Sequence, residues 1–217
     1  MKSKTSLLLV LAALAATAST SYAVVYSIDD GTAGAFVGVT NGTLTFANGF
    51  TAVAGGEVIQ SIEIAWGLVA NSTSFTARLW SDPNGDGSPS DAVELTSLSS
   101  TVNLANTNTF VLYNIPDVQL LPGDKFFVGG TITHASGEAP GAFDSGVPGT
   151  AQSWAQEGPD FTDSPANAST TFGIGDQLVR ANGGPAAVPE GGATALLLGL
   201  SLCGLAAARK RLGSRGI

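Results

Sequence analysis

The residues with the clearest potential for chemistry form an acidic loop at 81–91, with the sequence SDPNGDGSPSD. Asp82, Asn84 and Asp86 occupy alternate positions in this loop, and Gly87 follows them. This spacing is typical of the first half of a D-x-[DN]-x-[DN]-G calcium loop. There, alternate oxygen side chains converge on one cation and the glycine permits a sharp turn. The sequence therefore predicts a calcium ligand set in this loop.

The second half of the acidic loop departs from the EF-hand pattern. The carbonyl of Ser88 could serve as the seventh-position ligand, but the twelfth position is Val93 rather than a bidentate glutamate. Asp91 or Glu94 could substitute in a loop that folds differently. The alternative is a polar turn rich in glycine and proline that needs no metal. Calcium in a structural role is thus the cofactor that the sequence suggests.

Catalytic chemistry has few candidates in this chain. The sequence contains one histidine, His134, and one cysteine, Cys203, which lies in an apolar run near the C-terminus. Zinc sites and thiol catalysis need more such residues in the body, and no GxSxG elbow surrounds a serine. A pair of acidic residues for sugar hydrolysis stays open, but none lies in a recognisable setting. We expect no enzymatic activity.

Three tryptophans, Trp66, Trp80 and Trp154, are candidates for stacking on sugar rings. Trp80 lies opposite the apolar parity of its predicted strand and almost directly precedes the acidic loop. An exposed Trp80 beside a bound cation would suit a carbohydrate-binding face. The alternative is that each ring packs in the core or under a loop, which aromatic burial favours.

The elements that must position these residues are short strands separated by turn residues. Strands are predicted at 24–28, 35–39, 44–46, 57–69, 74–81, 110–118, 125–134 and 176–180, with a short one near 153–155. Asn41-Gly42 between two apolar runs predicts a hairpin, and 135–169 is otherwise predicted to form long loops. Phe75, Ala77 and Leu79 share one face of their strand. The fold class is all-β, an antiparallel β-sandwich or jelly roll.

The charge of the body excludes one class of partner. The chain has nine basic and 17 acidic residues. Only three of the basic residues, Arg78, Lys125 and Arg180, lie between Val24 and Val188, together with 16 of the acidic ones. Such a surface repels phosphate backbones, so nucleic-acid binding is not expected, whereas divalent cations are compatible with it.

The N-terminal segment 1–23 has the pattern of a secretory signal peptide. Lys2 and Lys4 precede an uncharged apolar run at 7–16, which is within the usual length of a signal-peptide core. Small residues at Ser21 and Ala23 predict cleavage by signal peptidase between Ala23 and Val24. The alternative is an uncleaved anchor, but the run is too short for a hydrocarbon layer of about 30 Å.

The C-terminal segment has the pattern of a membrane anchor that follows a linker. Residues 191–208 carry no charge, and as a helix of 1.5 Å rise they would span about 27 Å, close to the hydrocarbon thickness. The basic tail 209–217, with Arg209, Lys210, Arg211 and Arg215, marks the cytoplasmic side. A linker at 181–190 ends in Val188-Pro189-Glu190.

This order of tripeptide, short span and basic end resembles a PEP-CTERM protein-sorting signal of the VPE or VPD variant. The resemblance implies that an exosortase, a membrane enzyme, recognises Pro189 and Glu190 and removes the tail. It also implies delivery of the protein to the envelope or to exopolysaccharide. Gly191-Gly192 departs from the commonest form of the signal. The alternative is a plain anchor that is never processed. The body resembles uncharacterised β-sandwich domains of such proteins, which implies a fold but no activity.

The predicted organisation is a signal peptide at 1–23, a β-sandwich at 24–180, a linker at 181–190, a transmembrane helix at 191–208 and a cytoplasmic tail at 209–217. Both readings of the tail place the body outside the cytoplasm. The predicted function is that of a non-catalytic cell-surface or extracellular-matrix protein sorted by an exosortase. The alternative is a carbohydrate-binding module at the cell surface, stabilised by calcium.

Overall fold

A computed structural model of the chain describes residues 23–144, 149–162 and 165–186. The predicted signal core, the Val188-Pro189-Glu190 motif, the apolar run 191–208 and the basic tail 209–217 lie outside these residues. No helix within the described ranges has the length and apolar character needed to cross a bilayer. The first strand begins at Val24, next to the predicted cleavage point, and the cleavage itself stays a prediction.

The described residues form twelve strands and two short helical turns. The strands are β1 (Val24–Tyr26), β2 (Ala33–Val37), β3 (Gly42–Thr51), β4 (Val58–Leu68), β5 (Ser74–Ser81), β6 (Val93–Thr101), β7 (Phe110–Gln119), β8 (Lys125–His134), β9 (Ala139–Asp144), β10 (Ser153–Glu157), β11 (Ala166–Asn167) and β12 (Val179–Gly184). A 3₁₀ turn covers Pro89–Asp91 and a π-helical turn covers Ala168–Phe172.

The strands make two antiparallel sheets. The first sheet has the order β1-β12-β4-β9-β2, and β7 also pairs with β4. The second sheet has the order β11-β10-β3-β8-β5-β6. One core cluster draws buried side chains from both sheets, among them Ile62 and Ile64 of β4 and Leu79 of β5. The predicted all-β antiparallel sandwich is therefore confirmed.

Aromatic rings occupy the centre of this core. Phe46, Trp66, Phe75 and Tyr113 form a chain of edge-to-face contacts, with centroid separations of 5.8, 4.6 and 4.8 Å. This geometry lets the positive edge of one ring meet the negative face of the next, which favours aromatic pairs beyond their area burial.

The predicted hairpin at Asn41-Gly42 is wrong. Asn41 does adopt a left-handed conformation, with φ of 60°, and its N–H donates to the carbonyl of Val39. However, β2 pairs with β9 in the first sheet, whereas β3 pairs with β8 and β10 in the second. The turn therefore carries the chain from one sheet to the other. Turn chemistry specifies a reversal of the chain, but pairing depends on distant strands.

Two further expectations about the elements need correction. The stretch 135–169 contains β9, β10 and β11 rather than one short strand in long loops. The last strand runs from Val179 to Gly184, so the first four residues of the predicted linker belong to the first sheet. Gly183 lies at a bulge against β4, and a Cβ there would approach the Gly56 carbonyl oxygen to 2.3 Å. Close packing therefore requires glycine at this position, which is part of a strand and not of a flexible linker.

A buried polar side chain joins the two sheets. Asn48 of β3 donates from Nδ2 to the carbonyls of Gln177 and Val179, at 2.8 and 2.9 Å. Its Oδ1 accepts from the hydroxyl of Ser153. Because Asn48 is fully buried, its hydrogen bonds compensate the cost of removing the amide from water.

Candidate functional site

The acidic loop connects β5 to β6, the strands at one edge of the second sheet. Its first residue after β5 is Asp82, whose N–H donates to the carbonyl of Lys125 at 3.1 Å. The loop closes through the 3₁₀ turn, where Ser88 caps the backbone N–H of Ser90. The strand pair thus holds both ends of the loop, and the loop folds upon itself between them.

The Asp82 carboxylate organises this loop. One of its oxygens accepts from the N–H of Gly85 at 2.8 Å, and the other accepts from the N–H of Gly87 at 2.7 Å. Both glycines are left-handed, with φ of 72° and 84°, a conformation that costs little only for glycine. Asp82 is 7% exposed. The aspartate and the two glycines of the motif are therefore needed for the local loop structure, whether or not the loop binds a metal.

Two further side chains bond to the backbone two residues ahead. Asn84 Oδ1 accepts from the N–H of Asp86 at 2.8 Å, and Asp86 Oδ1 accepts from the N–H of Ser88 at 2.7 Å. The amide of Asn84 also donates to the second oxygen of Asp86. These Asx turns give the loop a tight curl.

Three carboxylates come together at this curl. Asp82, Asp86 and Asp91 each place one oxygen within 4.8 Å of the others. Calcium–oxygen distances of about 2.3–2.6 Å put the ligands of one ion within about 5 Å of each other, so this separation fits a single cation. Asn84 and Ser88, also predicted as ligands, lie in the same curl, with the Asn84 oxygen engaged by an amide. Clustering of the predicted residues is observed, and calcium binding stays a prediction.

Trp80 does not have the exposure that ligand stacking requires. Its side chain leaves the second sheet on the face opposite the core, as the alternation predicts, but it is only 3% exposed. Phe161 covers it edge-to-face, with centroids 5.4 Å apart, and Ala47 and Phe127 complete the cluster. The prediction of Trp80 as a stacking residue is corrected for this reason. Trp66 is 1% exposed in the main core.

Trp154 is the tryptophan that borders open space. It is partly exposed and lines a cleft of about 340 Å³ together with Asp82, Asp86 and Lys125. We call this the Trp154 cleft. In β10, Ala155 lies in the core and Trp154 lies on the opposite face. This alternation is the signal in the sequence that could have located Trp154 outside the core. It was obscured because the surrounding stretch is rich in turn residues.

His134 is bound to the backbone at both ring nitrogens. The N–H of Val39 donates to Nε2 at 3.1 Å, so Nδ1 carries the proton and donates to the carbonyl of Ala135 at 3.0 Å. The ring is 4% exposed. These contacts give the histidine a structural role between β8 and the turn after β2.

The C-terminal residues match a described sorting signal. Residues 187–212 match the family described as the VPDSG-CTERM motif. The chain therefore carries a PEP-CTERM-like sorting signal, and the resemblance seen in Val188-Pro189-Glu190, the apolar run and the basic tail is confirmed. A signal of this kind implies processing by an exosortase-like membrane enzyme.

Comparison with solved structures finds similar β-rich domains. One is the crystal structure of the cysteine protease and lectin-like domains of Cwp84, a surface layer associated protein of Clostridium difficile. It has 14% identity and a TM-score of 0.48, covering 77% of this chain and 37% of that one. A second structure, of a variant of the clostridial cysteine protease Cwp84 after propeptide cleavage, has 13% identity and a TM-score of 0.48. Its match covers 76% of this chain and 40% of that one. The chain thus spans less than half the length of either protein. Comparison with curated proteins gives no match.

Proposed function

We propose that this chain is a non-catalytic protein of the cell surface or extracellular matrix, exported by its signal peptide and delivered as an exosortase substrate. The observation that carries the proposal is the sorting signal at 187–212. The acidic body and the backbone-bound His134 are compatible with a role that depends on location rather than on chemistry. Exopolysaccharide is a partner of suitable chemistry for such a protein.

Replacement of the motif tests the sorting proposal. In the full-length chain expressed in its host, Pro189→Ala with Glu190→Ala should leave an unprocessed form in the membrane fraction. Pro185→Ala, a proline of the same linker that precedes the matched residues, is the control and should be processed like the wild type. Normal processing of the double variant would refute exosortase recognition through these residues.

We propose calcium as a stabilising ion of the acidic loop. Support comes from the convergence of Asp82, Asp86 and Asp91 within the reach of one ion and from the mutual repulsion that a divalent cation would relieve. Calcium should raise the Tm of the purified protein, and EDTA should reverse the rise. Asp91→Asn should remove the response. A Tm that is the same with calcium and with EDTA would sink this proposal.

A second candidate function is that of a carbohydrate-binding module. The Trp154 cleft favours it, since a partly exposed indole beside carboxylates and one ammonium group is a common setting for sugar recognition. The test is retention of the protein on insoluble polysaccharides. Trp154→Ala should reduce retention if the cleft is the site. Phe172→Ala, which removes an exposed aromatic ring outside the cleft, should not.

A further inference from the structure

The outer face of the second sheet carries hydroxyl side chains in register. Thr45 of β3 pairs with Thr131 of β8, Thr131 pairs with Thr76 of β5, and Thr76 pairs with Ser99 of β6. This makes one unbroken row across four neighbouring strands. The residues between them along the strands, such as Leu44, Phe75 and Ile132, lie in the core, so the hydroxyls lie on the opposite face.

A second row of hydroxyls runs beside the first. Thr43 pairs with Thr133, and Ser74 pairs with Thr101. Thr43 and Thr133 join their hydroxyls at 2.8 Å, in the same way as the Thr45 and Thr131 pair of the first row at 3.1 Å. Each of the four strands therefore repeats the pattern hydroxyl-x-hydroxyl at the same level of the sheet.

Apart from Thr45, the residues of these rows line an open groove of about 520 Å³, which we call the hydroxyl groove. Pro159 borders it. The segment beside it is held down by the Thr45 hydroxyl, which donates to the carbonyl of Gly158 at 2.7 Å. That contact buries Thr45, whereas the other members of the rows stay partly or fully exposed. Every residue that lines the groove is uncharged.

The chemistry of the hydroxyl groove narrows the choice of ligand. A hydroxyl both donates and accepts hydrogen bonds, so the groove matches a partner that is itself rich in hydroxyls. An apolar partner would have to desolvate these hydroxyls without replacing their hydrogen bonds. An anionic partner would meet no cation in the groove and would face the surplus of acidic residues in the body.

The spacing of the hydroxyl groove suits a polymer. Adjacent strands lie about 4.7–4.9 Å apart, so a chain laid across them meets a new pair of hydroxyls at intervals close to the length of one sugar unit. Five of the residues that line the groove are threonines, namely Thr43, Thr76, Thr101, Thr131 and Thr133. Their stiff β-branched side chains lose little freedom on binding.

We propose that the hydroxyl groove binds a neutral polysaccharide strand that runs across β3, β8, β5 and β6. The proposal rests on the second candidate function above and assigns that function a binding site distinct from the Trp154 cleft. It requires no metal ion and no catalytic residue. The sorting proposal does not depend on it.

Retention of the full-length protein on cellulose, curdlan and granular starch tests the proposal, with alginate beads as the anionic comparison. Thr76→Val with Ser99→Ala removes two neighbouring hydroxyls at nearly constant shape and should weaken binding about tenfold. Ser97→Ala is the matched control, because Ser97 is exposed on the same strand and pairs with Arg78, outside the groove. It should leave binding within about twofold.

Each outcome decides the matter. Weaker binding of the double variant, with unchanged binding of the Ser97→Ala control, supports the groove as the binding site. Equal binding of the double variant and the wild type overturns it, and if Trp154→Ala then abolishes retention, the carbohydrate-binding function stands with the cleft as its site. Absence of wild-type binding to all three neutral glucans overturns both the groove and the second candidate function. Retention on alginate alone overturns the assignment of a neutral ligand.

Discussion

The indole Nε1 of Trp66 donates a hydrogen bond of 2.9 Å to the hydroxyl of Tyr113 in the middle of the sandwich. The same hydroxyl donates to the carbonyl of Thr101 at 3.3 Å. Trp66 lies in β4 and Tyr113 in β7 of the first sheet, while Thr101 ends β6 of the second. One phenol thus satisfies a buried indole and links the edges of both sheets.

Tyr113→Phe should lower the free energy of unfolding by about 1–3 kcal/mol, because it leaves the Trp66 N–H buried without an acceptor. Urea denaturation of the purified protein measures this. The single variants and the double variant with Trp66→Phe form a cycle that isolates the pair. A coupling energy close to zero would show that the hydrogen bond contributes nothing to stability.

Asp82→Asn separates the structural role of the acidic loop from metal binding. An asparagine replaces one of the two accepting oxygens with an NH2 group, which cannot accept from the N–H of Gly85 or Gly87. In EDTA the variant should lose about 1–3 kcal/mol of stability. Asp91→Asn is the comparison, since the described contacts assign no backbone hydrogen bond to Asp91. In EDTA the Asp91→Asn variant should have the same free energy of unfolding as the wild type. Equal losses in both variants would contradict the organising role of Asp82.

Burial raises the pKa of the Asp144 carboxyl, and the nearby Asp176 and Asp30 carboxylates add to the rise, while the backbone N–H groups of those two residues oppose it. A raised pKa in the folded state means that folding favours the protonated form. The stabilising contribution is therefore fully present below the unfolded pKa of about 3.9 and is lost as the pH rises through the folded pKa.

Asp144→Asn should remove this pH dependence. The unfolding free energy of the wild type minus that of the variant should fall as the pH rises from about 3 to about 7. Asp160→Asn is the control of opposite sign, because the Thr162 hydroxyl lowers the pKa of Asp160. Its difference should fall as the pH decreases. A flat difference for Asp144→Asn would disprove the effect of its burial.

Phe161→Ala should expose Trp80. Removal of the covering ring opens the cluster that Phe161 forms with Trp80, Phe127 and Ala47. The free energy of unfolding should fall by about 3 kcal/mol or more. Acrylamide quenching, measured in a Trp154→Phe background that leaves the fully buried Trp66 as the other fluorophore, should increase. Phe172→Ala, at a position 51% exposed, should change neither quenching nor stability. Unchanged quenching in Phe161→Ala would mean that other residues bury Trp80.

The strands β5 and β8 have the bounds that their residue patterns predict, Ser74–Ser81 and Lys125–His134. Both contain β-branched or aromatic residues and have clear turn residues at their ends. Both also have a neighbouring strand on each side in the second sheet, a setting in which side chains alternate between the two faces. β9 contains Pro140 and three small residues, Ala139, Gly141 and Ala142, so it lacks that signal. It forms because β2 and β4 pair with it from distant parts of the chain.

The clustering of side chains in the acidic loop was predictable because all the candidate ligands lie within ten residues and bond locally within the loop. Exposure of the tryptophans was not predictable. Trp80 and Trp154 both leave the second sheet on its outer face, yet Phe161, some eighty residues after Trp80 in the sequence, covers the first and leaves the second at a cleft.

By itself the sequence determined the sorting signal of this protein, its all-β class and the curl of its acidic loop. These depend on contiguous residues: a motif with its apolar run, a local alternation, and side chains that bond to their own backbone. Only the tertiary structure decided which tryptophan meets solvent and which hydroxyls form rows. Those depend on strand register across the sheet, which brings together residues far apart in the chain through packing that no local pattern encodes.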